Sequence, residues 1–232
     1  LIRARGLCFS YTGNAPFVLD GVDFDVRAGD YISIVGDNGC GKSTLIRIIL
    51  RAIKPIRGSI ECTAARIGYV PQRNDFSNLQ FPITVFEAMN SYRNLLKEPH
   101  RSEIFRMLDW VGMADFANRL VGTLSGGQLQ KTMIARAMLG KPDLLILDEP
   151  STGVDRSSQR EIYGLLKEWN VHNGLTILSV EHNLDAAVAN STLIYHMSGG
   201  SGHMCVPERY MREYVQPDEP SDRPYERNDE VC

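Results

Sequence analysis

The strongest constraint on the fold is one short run, Gly36-Asp37-Asn38-Gly39-Cys40-Gly41-Lys42-Ser43, together with what stands on either side of it. Before it, Tyr31-Ile32-Ser33-Ile34-Val35 is an apolar, β-branched stretch that reads as a buried strand. After it, Leu45, Ile48, Ile49 and Ala52 recur at helical spacing, which predicts a helix over 43–52. Strand, glycine-rich turn and helix in that order make a phosphate cradle. The backbone N–H groups of residues 39–44, Thr44 included, gather at a helix N-terminus, where the dipole favours an anion. Lys42 then reaches the terminal phosphates of a nucleotide, and the Ser43 hydroxyl is placed for Mg2+. A purely structural turn would not require Lys-Ser at its end. In the same field the Cys40 thiol is expected to favour thiolate and to react with a bulky reagent.

Two later segments add what phosphoryl transfer needs beyond a cradle, namely a metal and an oriented water. Leu144-Leu145-Ile146-Leu147-Asp148-Glu149-Pro150 is a buried-strand run ending in two carboxylates. The strand delivers Asp148 to Mg2+, and Glu149, one residue beyond, is the candidate for polarising the attacking water. Leu124-Ser125-Gly126-Gly127-Gln128 opens a second helix, residues 126–139, with Ser125 as its cap and Leu129, Met133 and Ala137 on its core side.

These three segments together resemble the ATP-binding-cassette (ABC) ATPases, and the likeness extends over residues 1–215. It implies an α/β P-loop NTPase with a mostly parallel RecA-like sheet, an N-terminal antiparallel β subdomain and an α-helical insertion subdomain. Residues 1–81 and 125–215 would form the ATP-binding core and 82–124 the helical part. By the same resemblance Gly36, Asp37, Asn38, Gly39, Cys40, Gly41, Lys42, Ser43 and Thr44 bind ATP, and Tyr11 stacks on adenine. Gln72 senses the γ-phosphate and joins Ser43 and Asp148 around Mg2+, and His182 is the switch histidine that acts with Glu149 and Lys42 in hydrolysis. Ser125, Gly126, Gly127 and Gln128 would bind the nucleotide of a second copy in a head-to-tail dimer, with Asp155 in the loop that crosses between subunits. Taken singly, Gln72, Asp155 and His182 read as ordinary polar residues at strand ends; their order along the chain gives them these roles. The chain departs from the family pattern at Lys131, usually Arg, at Asn183, usually Asp, and at Glu181, usually Ser or Thr. Glu181 is expected to place a carboxylate beside His182 and raise its pKa.

Arg66-Ile67-Gly68-Tyr69-Val70-Pro71-Gln72, Phe81-Pro82-Ile83-Thr84-Val85 and Glu149-Pro150-Ser151-Thr152-Gly153-Val154-Asp155 resemble the zinc/manganese/iron branch of importer ATPases. That branch implies integral membrane permease subunits, an extracellular or periplasmic substrate-binding protein, and a place at the cytoplasmic face of the membrane held through the permease. Other importers and exporters built from separate subunits share this organisation. An ABC protein acting on nucleic acid or ribosomes is the competing class, but the chain has no heptad arm and no second phosphate loop. A net charge of −3 likewise gives no electrostatic footprint for nucleic acid.

The rest of the chain supports this organisation. Residues 7–11, 23–26, 66–70 and 175–180 read as further strands, 160–169 as a helix, and Ser198-Gly199-Gly200-Ser201-Gly202 as a hairpin turn. In 84–124 the pattern turns helical. Ser102 would cap a helix carrying Ile104, Phe105, Leu108 and Val111 on one face. This part is expected to dock a permease helix in a groove edged by Phe76, Phe81, Phe86 and Tyr92, with Gln72 and residues 74–81 as the joint. No apolar run approaches the ~18 residues of a membrane-spanning helix. Cys8, Cys40, Cys62, Cys205 and Cys232 are odd in number and scattered, which reads as reduced thiols. His196, His203 and Cys205 would make a metal-sensing cluster only through an irregular spacing. Residues 216–232, acidic and nearly free of apolar side chains, read as a disordered tail.

Overall fold

The computed structural model describes residues 1–72, 82–98 and 100–215. The expected joint at 74–81, with Phe76 and Phe81, and the tail at 216–232 lie outside the described residues.

Two sheets form the frame. In the smaller, β1 (Ile2–Phe9) pairs antiparallel with β2 (Leu19–Val26) on one side and β4 (Arg57–Cys62) on the other. Along β1, Ile2 and Ala4 point inward and Arg3 and Arg5 outward; the register then shifts between Ala4 and Leu7, turning Leu7 to the core. This explains why apolar patterning finds only the second half of the strand and extends it to Tyr11. The mostly exposed edge strand β4 carries no apolar run at all and leaves no sequence signal.

The larger sheet contains β3 (Tyr31–Gly36), β5 (Ile67–Val70), β6 (Leu144–Asp148), β7 (Thr176–Val180), β8 (Leu193–Ser198) and β9 (Ser201–Cys205), in the order β5-β6-β7-β3-β8-β9. All neighbours are parallel except β9, which returns through the Gly199-Gly200 hairpin. Every residue of β6 and β7 is buried, as parallel strands covered on both faces require. Four adjacent parallel strands, β5, β6, β7 and β3, end on one edge. That edge therefore receives Gln72, Asp148 with Glu149, Glu181 with His182, and the loop after Gly36.

Helix α1 (Lys42–Ile49) follows β3 directly and is shorter than the predicted 43–52. Among the described residues between β5 and β6 lie α2 (Val85–Leu95), α3 (Ser102–Trp110), two short 3-10 turns and α4 (Gly126–Met138). A capping box starts α2: the Glu87 N–H donates to Thr84 Oγ1 at 3.2 Å and the Thr84 N–H to Glu87 Oε2 at 2.8 Å, worth about 1 kcal/mol. Val85, Met89, Ile104 and Leu108 are fully buried, each contributing roughly 1.5–3 kcal/mol, so these helices share a substantial apolar core. Three expectations are corrected here. Ser102 is the first residue of α3, not its cap; Arg101 holds that position without a side-chain bond. Phe105 is half exposed and stacks on Phe86 at 5.5 Å, while Met107 takes the buried place. Tyr92, expected to be exposed at the groove, packs partly buried beneath the Arg136 guanidinium.

Helix α5 (Arg156–Asn173) begins four residues before the predicted start because Asp155 caps it, and Trp169 on α5 packs on Trp110 of α3 with centroids 4.5 Å apart. After α6 (Leu184–Asn190) and the β8–β9 hairpin, α7 (Pro207–Tyr210) and a final turn bring Tyr210 and Tyr214 onto His196. His196 and His203 face each other across the hairpin at 5.4 Å, and Cys205 is buried opposite Ile194. Among the described residues no group of three or more His, Cys, Asp or Glu is arranged to hold a metal, and His196 and His203 pack with Tyr210 and Tyr214 as an aromatic cluster. No described helix is long and apolar enough to cross a membrane.

Candidate functional site

The phosphate loop fills the short passage between β3 and α1. Gly41, the N-cap of α1, has φ 105; a Cβ there would lie 2.6 Å from Leu19 Cδ2 and 2.9 Å from the Val18 carbonyl, so only glycine lets the loop rest on β2. The Lys42 ammonium is nearly buried and donates to the Gly36 carbonyl at 2.7 Å and the Asp37 carbonyl at 2.9 Å, which centres a positive charge in the cradle. Ser43 is exposed in the first turn of α1. Tyr11 stands at the rim, 60% exposed, its hydroxyl 3.1 Å from Thr44 Oγ1 and 3.4 Å from Arg47 Nη1. Cys40 packs into the core beneath the loop at 8% exposure, which does not offer its thiol to a bulky reagent as expected.

One cleft joins Tyr11, Val18, Asn38, Gly39, Gly41, Lys42, Ser43 and Thr44 to Glu149 and His182. Glu149 is its hub. Its backbone takes the left-handed region, φ 54, a conformation that costs a non-glycine residue about 1–3 kcal/mol and that Val180 helps hold by accepting its N–H at 3.1 Å. The carboxylate accepts Gln72 Nε2 at 2.6 Å, His182 Nε2 at 2.7 Å and Thr152 Oγ1 at 3.1 Å. Partial burial pushes its pKa up, but the bonds from His182, Thr152 and Gln72 outweigh this and hold it below the usual carboxylate range. Because a carboxylate only accepts, His182 presents a protonated Nε2. Three donors on about four lone-pair sites leave one for a water molecule.

Asp148 ends β6 nearly buried, at 7% exposure. Its carboxylate, the Ser43 hydroxyl and the amide oxygen of Gln72, whose nitrogen is committed to Glu149, are hard oxygen donors. One carboxylate with two neutral oxygens suits Mg2+, which completes its shell with waters and phosphate oxygens and needs no all-protein cage.

Ser125, Gly126, Gly127 and Gln128 form a second group, and neither they nor Asp155 line the cleft. Ser125 caps α4 in a reciprocal box: the Gln128 N–H donates to Ser125 Oγ at 3.3 Å and the Ser125 N–H to Gln128 Oε1 at 3.0 Å. A Cβ on Gly127 would sit 2.3 Å from Ser158 Oγ, so glycine lets the N-termini of α4 and α5 lie side by side. Asp155 accepts the Ser158 N–H at 3.0 Å, which holds its carboxyl below the ordinary range. Lys131, one turn into α4, pairs with Glu161 of α5.

Glu181 corrects an expectation. Its carboxylate does not lie beside His182 but turns inward, 1% exposed, accepting Ser179 Oγ at 2.5 Å and the Tyr163 hydroxyl at 2.8 Å. Successive residues leaving a strand point to opposite faces, so His182 turns to the cleft and meets Glu149 instead. Burial raises the Glu181 pKa to about 7 against its two hydroxyl donors, with the Glu149 charge adding to the rise. Asn183 caps α6 by accepting the Ala186 N–H at 3.2 Å, a task its amide oxygen performs as an Asp would. Thr152, Ser179 and Tyr163 were not singled out from sequence; Thr152, three residues after Glu149, was within reach of a turn argument, whereas Tyr163 is distant in sequence from Glu181.

Comparison with known proteins gives the family and the fold. The family model described as ABC transporter matches residues 19–152. The Treponema pallidum protein named "Probable metal transport system ATP-binding protein" is 48% identical over 92% of this chain and 90% of its own length. The zinc import ATP-binding protein ZnuC of Paramagnetospirillum magneticum is 39% identical over 88% of this chain and 75% of its own length. Among solved structures, cbiO1 of Clostridium perfringens, part of the ABC transporter complex cbiONQ, superposes with TM-score 0.80 at 25% identity, covering 91% of this chain and 90% of that one.

Proposed function

From the premise that this chain belongs to the ABC transporter family, as an ATP-hydrolysing subunit, we propose that it energises import of a divalent metal ion, zinc or manganese. The observation that carries the site reading is the meeting of Lys42, Glu149 and His182 in one cleft, with three donors on Glu149. Lys42 and the loop N–H groups take the β- and γ-phosphates. Tyr11 at the rim offers a face to the adenine. Glu149, ionised and with one acceptor site spare, orients the water against the γ-phosphorus, while His182 and Gln72 fix the carboxylate and read the terminal phosphate. Asp148, Ser43 and Gln72 would hold Mg2+, which neutralises charge on the phosphate oxygens when bound.

Ser125, Gly126, Gly127 and Gln128 expose a helix start away from this cleft, which suits them to a nucleotide held by a second copy, with Asp155 at the crossing. The active unit is then a head-to-tail dimer seated on two permease subunits at the cytoplasmic face of the membrane, supplied by an extracellular or periplasmic binding protein. The helices of residues 82–124 face the permease in this arrangement. The support for metal as cargo is the naming of relatives alike over most of their length. Reconstitution with permease and binding protein tests it: zinc or manganese on the binding protein should stimulate ATP hydrolysis and move with it. Hydrolysis stimulated by another solute class, with no response to either metal, rejects the cargo and leaves the ATPase standing.

A further inference from the structure

Glu181 has no part in the mechanism above, yet it is a buried carboxyl one residue from the histidine that grips Glu149. We propose that Glu181 is a positioning residue for ATP hydrolysis, a buried strut that ties the His182 loop to α5 and to the loop behind Glu149.

The contacts form a closed ring. Glu181 Oε2 accepts the Tyr163 hydroxyl at 2.8 Å, and Tyr163 stands on α5. The same helix reaches the loop behind Glu149, where Ser151 follows Glu149 by two residues. Gln159, one turn before Tyr163 on α5, donates through Nε2 to the Ser151 carbonyl at 3.1 Å, which fastens that loop to α5 and closes the ring through the helix. From Glu149 the ring returns to His182 at 2.7 Å. Glu181 is anchored at its own end by Ser179 Oγ at 2.5 Å and by its N–H to the Ile34 carbonyl at 2.9 Å.

Directional bonds are needed at this place. Glu149 sits in a left-handed conformation that persists only where the surroundings over-determine it, and the segment directly after it is the one that Gln159 of α5 holds. An apolar residue at 181 would avoid the desolvation cost of a buried carboxyl but could slide, whereas two hydroxyl bonds select one geometry. The strut thereby sets where His182 Nε2 meets Glu149. It also links that meeting point to α5, whose N-cap is Asp155.

This inference rests on Glu149 and His182 being the hydrolytic pair, and the test separates the two. Steady-state ATP hydrolysis and thermal unfolding are measured on the full chain assembled with its membrane partner, for wild type, Tyr163→Phe, Glu181→Ala, Glu181→Gln, the Tyr163→Phe/Glu181→Ala double variant and Glu149→Gln. The strut predicts that Tyr163→Phe and Glu181→Ala each lower kcat about five- to tenfold with KM within about twofold, and that the double variant is no slower than Glu181→Ala. Glu181→Gln, whose amide can accept from Tyr163 and donate to Ser179, should restore kcat to within about twofold of wild type. Full rates in Tyr163→Phe, losses that multiply in the double variant, or a Gln variant as slow as the Ala variant would each overturn the strut. If Glu181→Ala does not fold, Tyr163→Phe and Glu181→Gln decide alone. Turnover retained by Glu149→Gln rejects the hydrolytic pair itself; loss there beside a fully active Tyr163→Phe rejects only the strut.

Discussion

Glu149 and Glu181 are the same residue type one step beyond adjacent strands whose last residues, Asp148 and Val180, are register partners, and they live in opposite surroundings. Glu149 opens to the cleft and collects donors from three segments, which hold it ionised. Glu181 points into the protein, where two hydroxyls do not offset burial and its pKa rises to about 7. The difference comes from which side of a strand end each carboxylate leaves, not from its neighbours in sequence. One carboxylate is thereby suited to orient water and the other to hold geometry.

The sharpest break in this comparison should be in turnover. Glu149→Gln keeps shape but cannot orient water as a carboxylate does, so hydrolysis should fall about tenfold or more while ATP binding survives. Glu181→Gln should stay near wild type. A phosphate-release assay on both variants, beside a nucleotide-binding measurement, checks this; equal losses in the two would erase the distinction between the residues.

Stability should separate the two carboxylates by the sign of its pH dependence. For Glu181 the unfolded chain ionises near ~4.5 and the folded chain near 7, so between these values unfolding releases a proton. Its effect is a loss of folded stability as pH rises through that window, levelling above about 7 at on the order of 3 kcal/mol. Glu149 has a lowered folded pKa, so its stabilisation is present above the unfolded value and is lost as pH falls through the folded one. Urea unfolding at about pH 5 and about pH 8 should show Glu181→Gln gaining on wild type at the higher pH, whereas the deficit of Glu149→Gln should be the same at both and narrow only as the pH falls below about 4.5. Parallel curves for wild type and Glu181→Gln would mean that Glu181 is ionised in the folded chain.

What the sequence revealed, and what it hid, follows the same division. The phosphate loop, the strand ending at Asp148 and the Ser125 cap are local patterns in which a few consecutive residues determine the geometry, and they can be read directly. The first half of β1 was hidden because two arginines alternate with its core residues before a register shift at Gly6. Strand β4 was hidden because it is an exposed edge, and the early start of α5 because its cap, Asp155, was read only as an intersubunit residue. Glu181 was misplaced for a different reason: its partner Tyr163 is eighteen residues away on a helix, and no spacing rule states which face of a strand end that helix covers.

The smallest effect should come from the weakest of the three donors on Glu149. Thr152 Oγ1 reaches the carboxylate at 3.1 Å, against 2.6 Å for Gln72 and 2.7 Å for His182. Thr152→Val preserves the branched shape and removes only this hydroxyl. It leaves an ionised acceptor with two donors, at a cost of about 1 kcal/mol, which corresponds to a two- to fivefold loss of kcat. The Glu149 pKa should rise slightly, so the acidic limb of the pH–rate profile should move to higher pH, because one of the bonds favouring the charged form is gone. A rate loss with no movement of that limb would mean that Thr152 acts through the shape of the loop, and a limb that moves without a rate loss would mean that its bond tunes the charge of Glu149 without affecting its aim.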